Sequence, residues 1–368
     1  MLRLALRAAV TASVASLALV AAAPLPAAGP TARYDQTNLV SNQPGVATFM
    51  DTNLQNAWGL ARSGTSPWWV SDNGANVTTI YNSAGALQSI GGHPFQTVPG
   101  NPSGAVFSGI SGQFQVGTTA SPTTLGTSNF IFDGEDGQIR AWRGGSTGAL
   151  VTVGNNITGA DAVLKGLAIS NGSAGPRLYA TDFHNDRIDV FDGGWNMVND
   201  PGAFEDPGIP AGFAPFGIQT IGSRVFVTYA KQDAAAHDDA AGVSRGFVDV
   251  YDLTGNLLAR VAQRGTLNSP WGLAMAPAGW GPFGGDLLVG NFGDGLVNAF
   301  EEMPNGQWNH RGSLQSSDGG QKLQIDGLWA LEFGAGGANG GPNTLFFTAG
   351  PNDEADGLFG TITPVPTS

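Results

Sequence analysis

The chain has 368 residues, among them 56 Gly, 22 Pro and no Cys, and only 12% are charged, which excludes a coiled coil, a disulfide scaffold and a zinc ribbon. Hydrophobic residues make up 41%, ample for a large packed core and too many for a disordered chain. Sixteen Lys and Arg against 29 Asp and Glu give a formal charge of −13, a sign that repels nucleic acid and anionic lipid, so no nucleic-acid partner is expected.

Residues 1–28 read as a secretory signal peptide. Arg3 and Arg7 supply the positive end, the Ala-rich run from Ala8 to Ala23 the apolar stretch, and Pro24 and Pro26 the helix stop, with cleavage expected between Ala22 and Ala32. Later segments contain no second apolar run of membrane-spanning length, so the expected location is secreted or periplasmic, with no membrane span after cleavage. Next comes a strand-like run, Tyr34 to Val40.

From Trp58 onward the sequence repeats. Trp58-Gly59-Leu60-Ala61, then Trp69-Val70-Ser71-Asp72-Asn73-Gly74, then Val77-Thr78-Thr79-Ile80-Tyr81 and Ala86 to Ile90 describe four short strands. The order recurs from Lys165-Gly166-Leu167-Ala168 and again from Trp271-Gly272-Leu273-Ala274, with weaker copies at Phe216-Gly217-Ile218 and Trp329-Ala330-Leu331 and a divergent one around Phe130 to Trp142. Each strand alternates apolar and polar residues between Gly, Asn, Asp or Pro, the pattern of half-buried antiparallel strands. Six units of about 55 residues predict an all-β chain folded as a six-bladed β-propeller of four-stranded antiparallel blades, one domain over residues 33–365. The last unit runs out after Leu358 to Ile362, before a fourth strand, so the run at Tyr34 is expected to join the last blade and close the ring. Blade 4 carries a polar insertion between Tyr229 and Phe247, read as a mobile hairpin tip or as a lid or partner contact.

The unit W-G-L-A, S-D-N-G, V-T-T-I-Y-N resembles the broad superfamily of six-bladed propellers that holds NHL-repeat proteins and the gluconolactonase group. Tyr34 to Asn42, Asn56-Ala57-Trp58-Gly59-Leu60 and Asp326-Gly327-Leu328-Trp329-Ala330-Leu331 are similar to a family of exported bacterial proteins of unknown function. That resemblance implies the propeller fold and secretion, and no activity. The lactonase group holds a divalent cation with a Glu of a G-E-G-P motif and an Asn before an inner strand. Here G-E-G-P is absent and Trp58, Lys165, Phe216, Trp271 and Trp329 stand at the pre-strand positions, which disfavours metal-dependent lactone hydrolysis.

In a propeller the loops before the innermost strands and those between the second and third strands open on one face. Two columns follow. Trp58, Lys165, Phe216, Trp271 and Trp329 form a mostly aromatic one; Asp72, Asp133, Asp182, Tyr229, Asn291 and Gly350 form a polar one, with Asn73, Glu135, Asp136, His184, Asp186 and Asp294 in the turns. As ligand-binding candidates they suit a small molecule, carbohydrate or extracellular protein, flat rings burying apolar faces while carboxylates accept hydroxyl hydrogens. No cofactor is expected; Ca²⁺ is the one candidate ion, through Asp72, Asp133 and Asp182. Catalytic residues are not identifiable: the sequence has no thiol and no zinc-spaced His pair. The competing structural reading makes the rings wedges between blades and the Asp residues turn caps, with Lys165 paired to an acid such as Asp182. The functional expectation is a binding or scaffold module, with a channel-face hydrolase or lyase on a sugar or lactone as the alternative.

Overall fold

The computed structural model describes residues 33–365, so the expected signal peptide lies outside the described residues. Short twisted strands dominate, and the longest α-helix described, Asn155–Thr158, is one turn. Blade 1 comprises Ala57–Ala61, Trp68–Asp72, Val77–Tyr81 and Phe95–Thr97; blade 2 comprises Pro102–Phe107, Phe130–Gly134, Ile139–Trp142 and Leu150–Val153. Blade 4 runs Phe213–Ile221, Arg224–Lys231, Gly246–Asp252 and Leu257–Gln263, and blade 5 runs Pro270–Met275, Leu287–Asn291, Val297–Glu302 and Trp308–Ser313. Blade 3 forms its ladder from Leu164–Gly172, Gly175–Asp182 and Arg187–Asp192, and its fourth strand shrinks to a bridge between Phe191 and Met197. The first strand of each blade packs on the first strand of the next, blade 6 returning to blade 1, so six blades close around one channel.

Closure is made where the sequence places it. Blade 6 holds Leu328–Phe333, Leu345–Ala349 and Leu358–Pro364, and Arg33–Ser41 adds to its outer side in antiparallel register from Tyr34 opposite Pro364 to Ser41 opposite Leu358. Tyr34 is fully buried and packs on Trp280, ring centroids 4.6 Å apart, so the first strand is clamped to blade 5 as well.

The repeated aromatic-Gly pair has a local cause. Between Leu164 and Leu167, Pro215 and Ile218, Leu328 and Leu331, and Ala57 and Leu60, the inner strand slips register against its neighbour, so the two residues spanned leave the ladder. A bulge re-aims a side chain; here it frees the large residue, and the small one lets the next blade approach. A Cβ on Gly59 would lie 2.3 Å from Ser103 O, on Gly104 2.4 Å from Leu167 N, on Gly217 2.1 Å from Trp271 O, and on Gly272 2.5 Å from Trp329 O. Backbone meets backbone there, and only glycine fits. Hydroxyls fasten the same seams: Ser103 Oγ donates to Leu164 O (2.8 Å), Thr181 Oγ1 to Phe216 O (2.9 Å) and Thr348 Oγ1 to Trp58 O.

Candidate functional site

The freed large side chains meet inside the channel. Trp58 stacks on Trp329 with centroids 3.7 Å apart, and Trp329 stacks on Phe292 at 4.0 Å. Phe216 and Trp271 meet Trp329 edge-on at 5.8 and 6.0 Å. Trp58, Phe216, Trp271 and Trp329 are all buried, while Phe292 keeps a partly exposed edge. The aromatic column is therefore a floor across the channel, tied by Trp271 Nε1 donating to Lys165 O (2.8 Å) and Trp329 Nε1 to Asn56 Oδ1 (2.9 Å).

Above that floor the polar residues form a continuous hydrogen-bonded belt crossing five blades. From blade 6, Glu354 accepts from Asn56 Nδ2, which also donates to Asn73 Oδ1 (3.3 Å). Asn73 Nδ2 donates to Glu135 Oε2 of blade 2 (2.9 Å). The other oxygen of Glu135 takes the ammonium of Lys165 from blade 3, and Lys165 Nζ donates in turn to Asp238 Oδ1 (3.0 Å), which lies 2.9 Å from His237 Nδ1. Lys165 is 1% exposed and sits 5.1 Å from the Trp58 ring centroid, so the cation rests on the floor and is held by the belt.

The electrostatics follow from burial around one cation. Burial opposes the charge of Lys165, but Glu135 and Asp238 outweigh it and raise its pKa. Asp238 is raised by burial and lowered further by Lys165 and His237, so it stays below the usual carboxylate range. Glu354 goes the other way: burial lifts it, against Lys165 and Asn56 and helped by the Glu135 and Asp238 charges, to about 7. Its backbone is unusual, since Asn352, Asp353 and Glu354 all have left-handed φ, 59°, 53° and 65°. Three consecutive non-glycine residues there cost roughly 1–2 kcal/mol each; the turn is held by Glu354 N–H to Gly350 O (3.1 Å) and Asp356 N–H to Pro351 O (3.2 Å).

The acidic column behaves differently from the expectation. Asp72 Oδ2 accepts from Thr79 N–H (2.8 Å) and Asp133 Oδ1 from Ser103 Oγ (2.9 Å) and Gly104 N–H (2.6 Å). Asp182 accepts from Asn185 and Val163 N–H and pairs with Arg187 (3.1 Å). Each is buried within its own blade or seam, and burial raises all three, Asp133 to about 6. They do not gather into one group of possible metal ligands among the described residues, where Glu135, His237 and Asp238 do. Lys165 pairs with Glu135 and Asp238, not with Asp182. Asn291 is likewise buried and bonds Asp294 (3.0 Å) and Thr266 O (2.8 Å).

The carboxylates that do meet are Glu135 and Asp238, with His237, their ligand atoms within 4.8 Å of one another. They fit Ca²⁺ poorly, because that ion takes six to eight oxygens and the Lys165 ammonium already sits on both acids. Glu354, His237 and Asp238 were missed as site residues. The signal for the last two was the blade 4 insertion, which folds back on the channel mouth: Gln232 Nε2 donates to Phe183 O and to His184 O (3.3 Å), and Asp238 reaches Lys165. The signal for Glu354 was a long acidic turn four residues beyond Gly350.

No protein-family model matches the chain. An uncharacterized protein of Acanthamoeba polyphaga mimivirus is 31% identical over 338 residues, covering 88% of this chain and 78% of that protein. The chain belongs to that family. This relative is viral and uncharacterised, so it supports the family and gives no support to a bacterial, exported one. Among solved structures, a streptogramin B lyase matches with a TM-score of 0.50 at 12% identity, covering 90% of this chain and 97% of that one. The PQQ-bound aldose sugar dehydrogenase of Streptomyces coelicolor matches with a TM-score of 0.50 at 14% identity, covering 92% and 100%. At such identities the family shares the propeller fold with these proteins, and fold does not carry activity.

Proposed function

We propose that the protein is a ligand-binding propeller, exported to the periplasm or the exterior by its amino-terminal segment, that takes a carbohydrate at the channel mouth. The belt carries the reading: two carboxylates from separate blades, Glu135 and Asp238, hold one ammonium above an aromatic floor, and a third carboxyl, Glu354, joins them through Asn56 and Asn73. With more carboxyl groups than cations, the mouth offers acceptors to a ligand rich in hydroxyl or amine donors, and the free edge of Phe292 gives an apolar sugar face something to lie on. Amino sugars, which add an ammonium, suit this balance best.

A second reading has one specific support. Glu354, raised to about 7 and held in a strained turn beside a buried Lys, has the proton affinity of a general acid or base at neutral pH, as a channel-face hydrolase or lyase on a sugar or lactone would need. The distinguishing experiment is a thermal melt with soluble oligosaccharides, with Ca²⁺ and with EDTA, followed by product analysis on any sugar that raises the midpoint. A sugar-dependent rise without turnover supports the binder, and turnover lost in Glu354→Gln supports the enzyme. No rise with any sugar would sink the carbohydrate binder and the sugar-directed enzyme alike.

A further inference from the structure

The floor divides the channel, and its lower half holds a second, separate pocket. Where the inner strands end, a cavity of about 200 Å³ opens at the face opposite the belt. Leu60, Ala105 and Ile169 give it apolar walls. Its polar groups are few and convergent. Arg62 Nη2 lies 3.2 Å from Glu332 Oε1, and Arg62 Nε donates to Phe333 O (2.8 Å), which fixes the guanidinium at the rim. Neither Arg62 Nη1 nor Glu332 Oε2 has a protein partner among the described residues, and Thr220 Oγ1 is buried without one. Burial lifts Glu332 to about 7 in spite of Arg62, so the pair is incompletely compensated.

We propose that this lower pocket binds a free apolar α-amino acid, its carboxylate on Arg62, its ammonium on Glu332 and its side chain against Leu60, Ala105 and Ile169. A cation and an anion side by side at the rim of an apolar cavity match a ligand carrying both opposite charges on one carbon and a hydrocarbon beyond them. A simple amine would leave the spare guanidinium donor unused, and a simple carboxylate would face Glu332. The volume admits a side chain of leucine size and no oligosaccharide, so the two ends of the channel take different ligands. This inference stands independently of the belt.

The test is calorimetric titration of the full chain with L-leucine, isoamylamine and isocaproate, with methyl NMR of the wild type as a second readout that needs no variant. Leucine should bind while both half-ligands fail, and Ile169 and Leu60 methyls should shift. Arg62→Met and Glu332→Gln should each weaken binding by about tenfold or more, whereas Arg311→Gln, on the exposed outer strand of blade 5, should leave it unchanged. Absence of leucine binding, equal binding of either half-ligand, or methyl shifts confined to the belt side would overturn it.

Discussion

The aromatic floor and the polar belt lie one above the other in the same channel, yet different parts of each repeat make them. Floor residues stand on the inner strands, at the slip in register that every copy repeats, and they are buried against one another. Belt residues stand mostly in loops that differ from blade to blade: Glu354 in a left-handed turn, Asp238 and His237 in an insertion, Asn73 in a 3₁₀ turn. The repeated signature therefore encodes closure, and the departures from it encode recognition. Lys165 belongs to both, since it occupies a floor position and supplies the cation of the belt.

The contrast can be broken first on the closure side, where effects should be largest. Removing residues 34–41 strips blade 6 of its outer strand and takes Tyr34 out of the core, so the cooperative thermal transition should disappear; a sharp melt near that of the intact chain would show closure is made elsewhere. Trp329→Ala removes the ring that touches Trp58, Phe292, Phe216 and Trp271, and should cost about 3–5 kcal/mol in denaturant unfolding. Lys165→Met should sit between the two classes. It leaves Glu135 without its cation, costing about 1–3 kcal/mol, and it abolishes sugar binding. Asp238→Asn lies on the exposed side of the same ion pair and should change stability by less than about 0.5 kcal/mol while weakening the ligand.

The smallest expected effect is a pH dependence. Glu354 has its pKa raised from 4.5 to about 7, so the native state holds a proton that the unfolded chain releases. Its contribution to stability is present below pH 4.5 and is lost as the pH rises through 7. Glu354→Gln should flatten that part of the stability profile measured by denaturant unfolding, and an unchanged slope between pH 5 and 7 would contradict the burial assigned to this group. Glu332 contributes a fall of the same sign, so the single variant leaves part of the slope.

The ring was legible because closure is repetitive: the aromatic-Gly pair recurs, and the missing last strand matches the spare first one. Blade 3 shows the limit, since nothing in the alternation of Arg187 to Phe191 reveals that its outer strand shortens to a bridge. For the site, the sequence put Trp58, Lys165, Phe216, Trp271 and Trp329 in one column but could not say that the aromatic members fill the channel, which depends on how closely the glycine seams draw the blades together. Asp72, Asp133 and Asp182 share a position in the repeat, and the same repetition turns each into its own blade. The partner of Lys165 was illegible for a different reason: Asp238 is 73 residues away, in an insertion with no counterpart in the other blades.

The most direct test of the channel-mouth assignment is capture of the wild-type domain on a glycan array beside Asp238→Asn, a variant whose fold should be intact. The account predicts capture on glycans rich in amines or hydroxyls by the wild type and its loss in the variant. Equal capture by both proteins, or capture by neither, would contradict it.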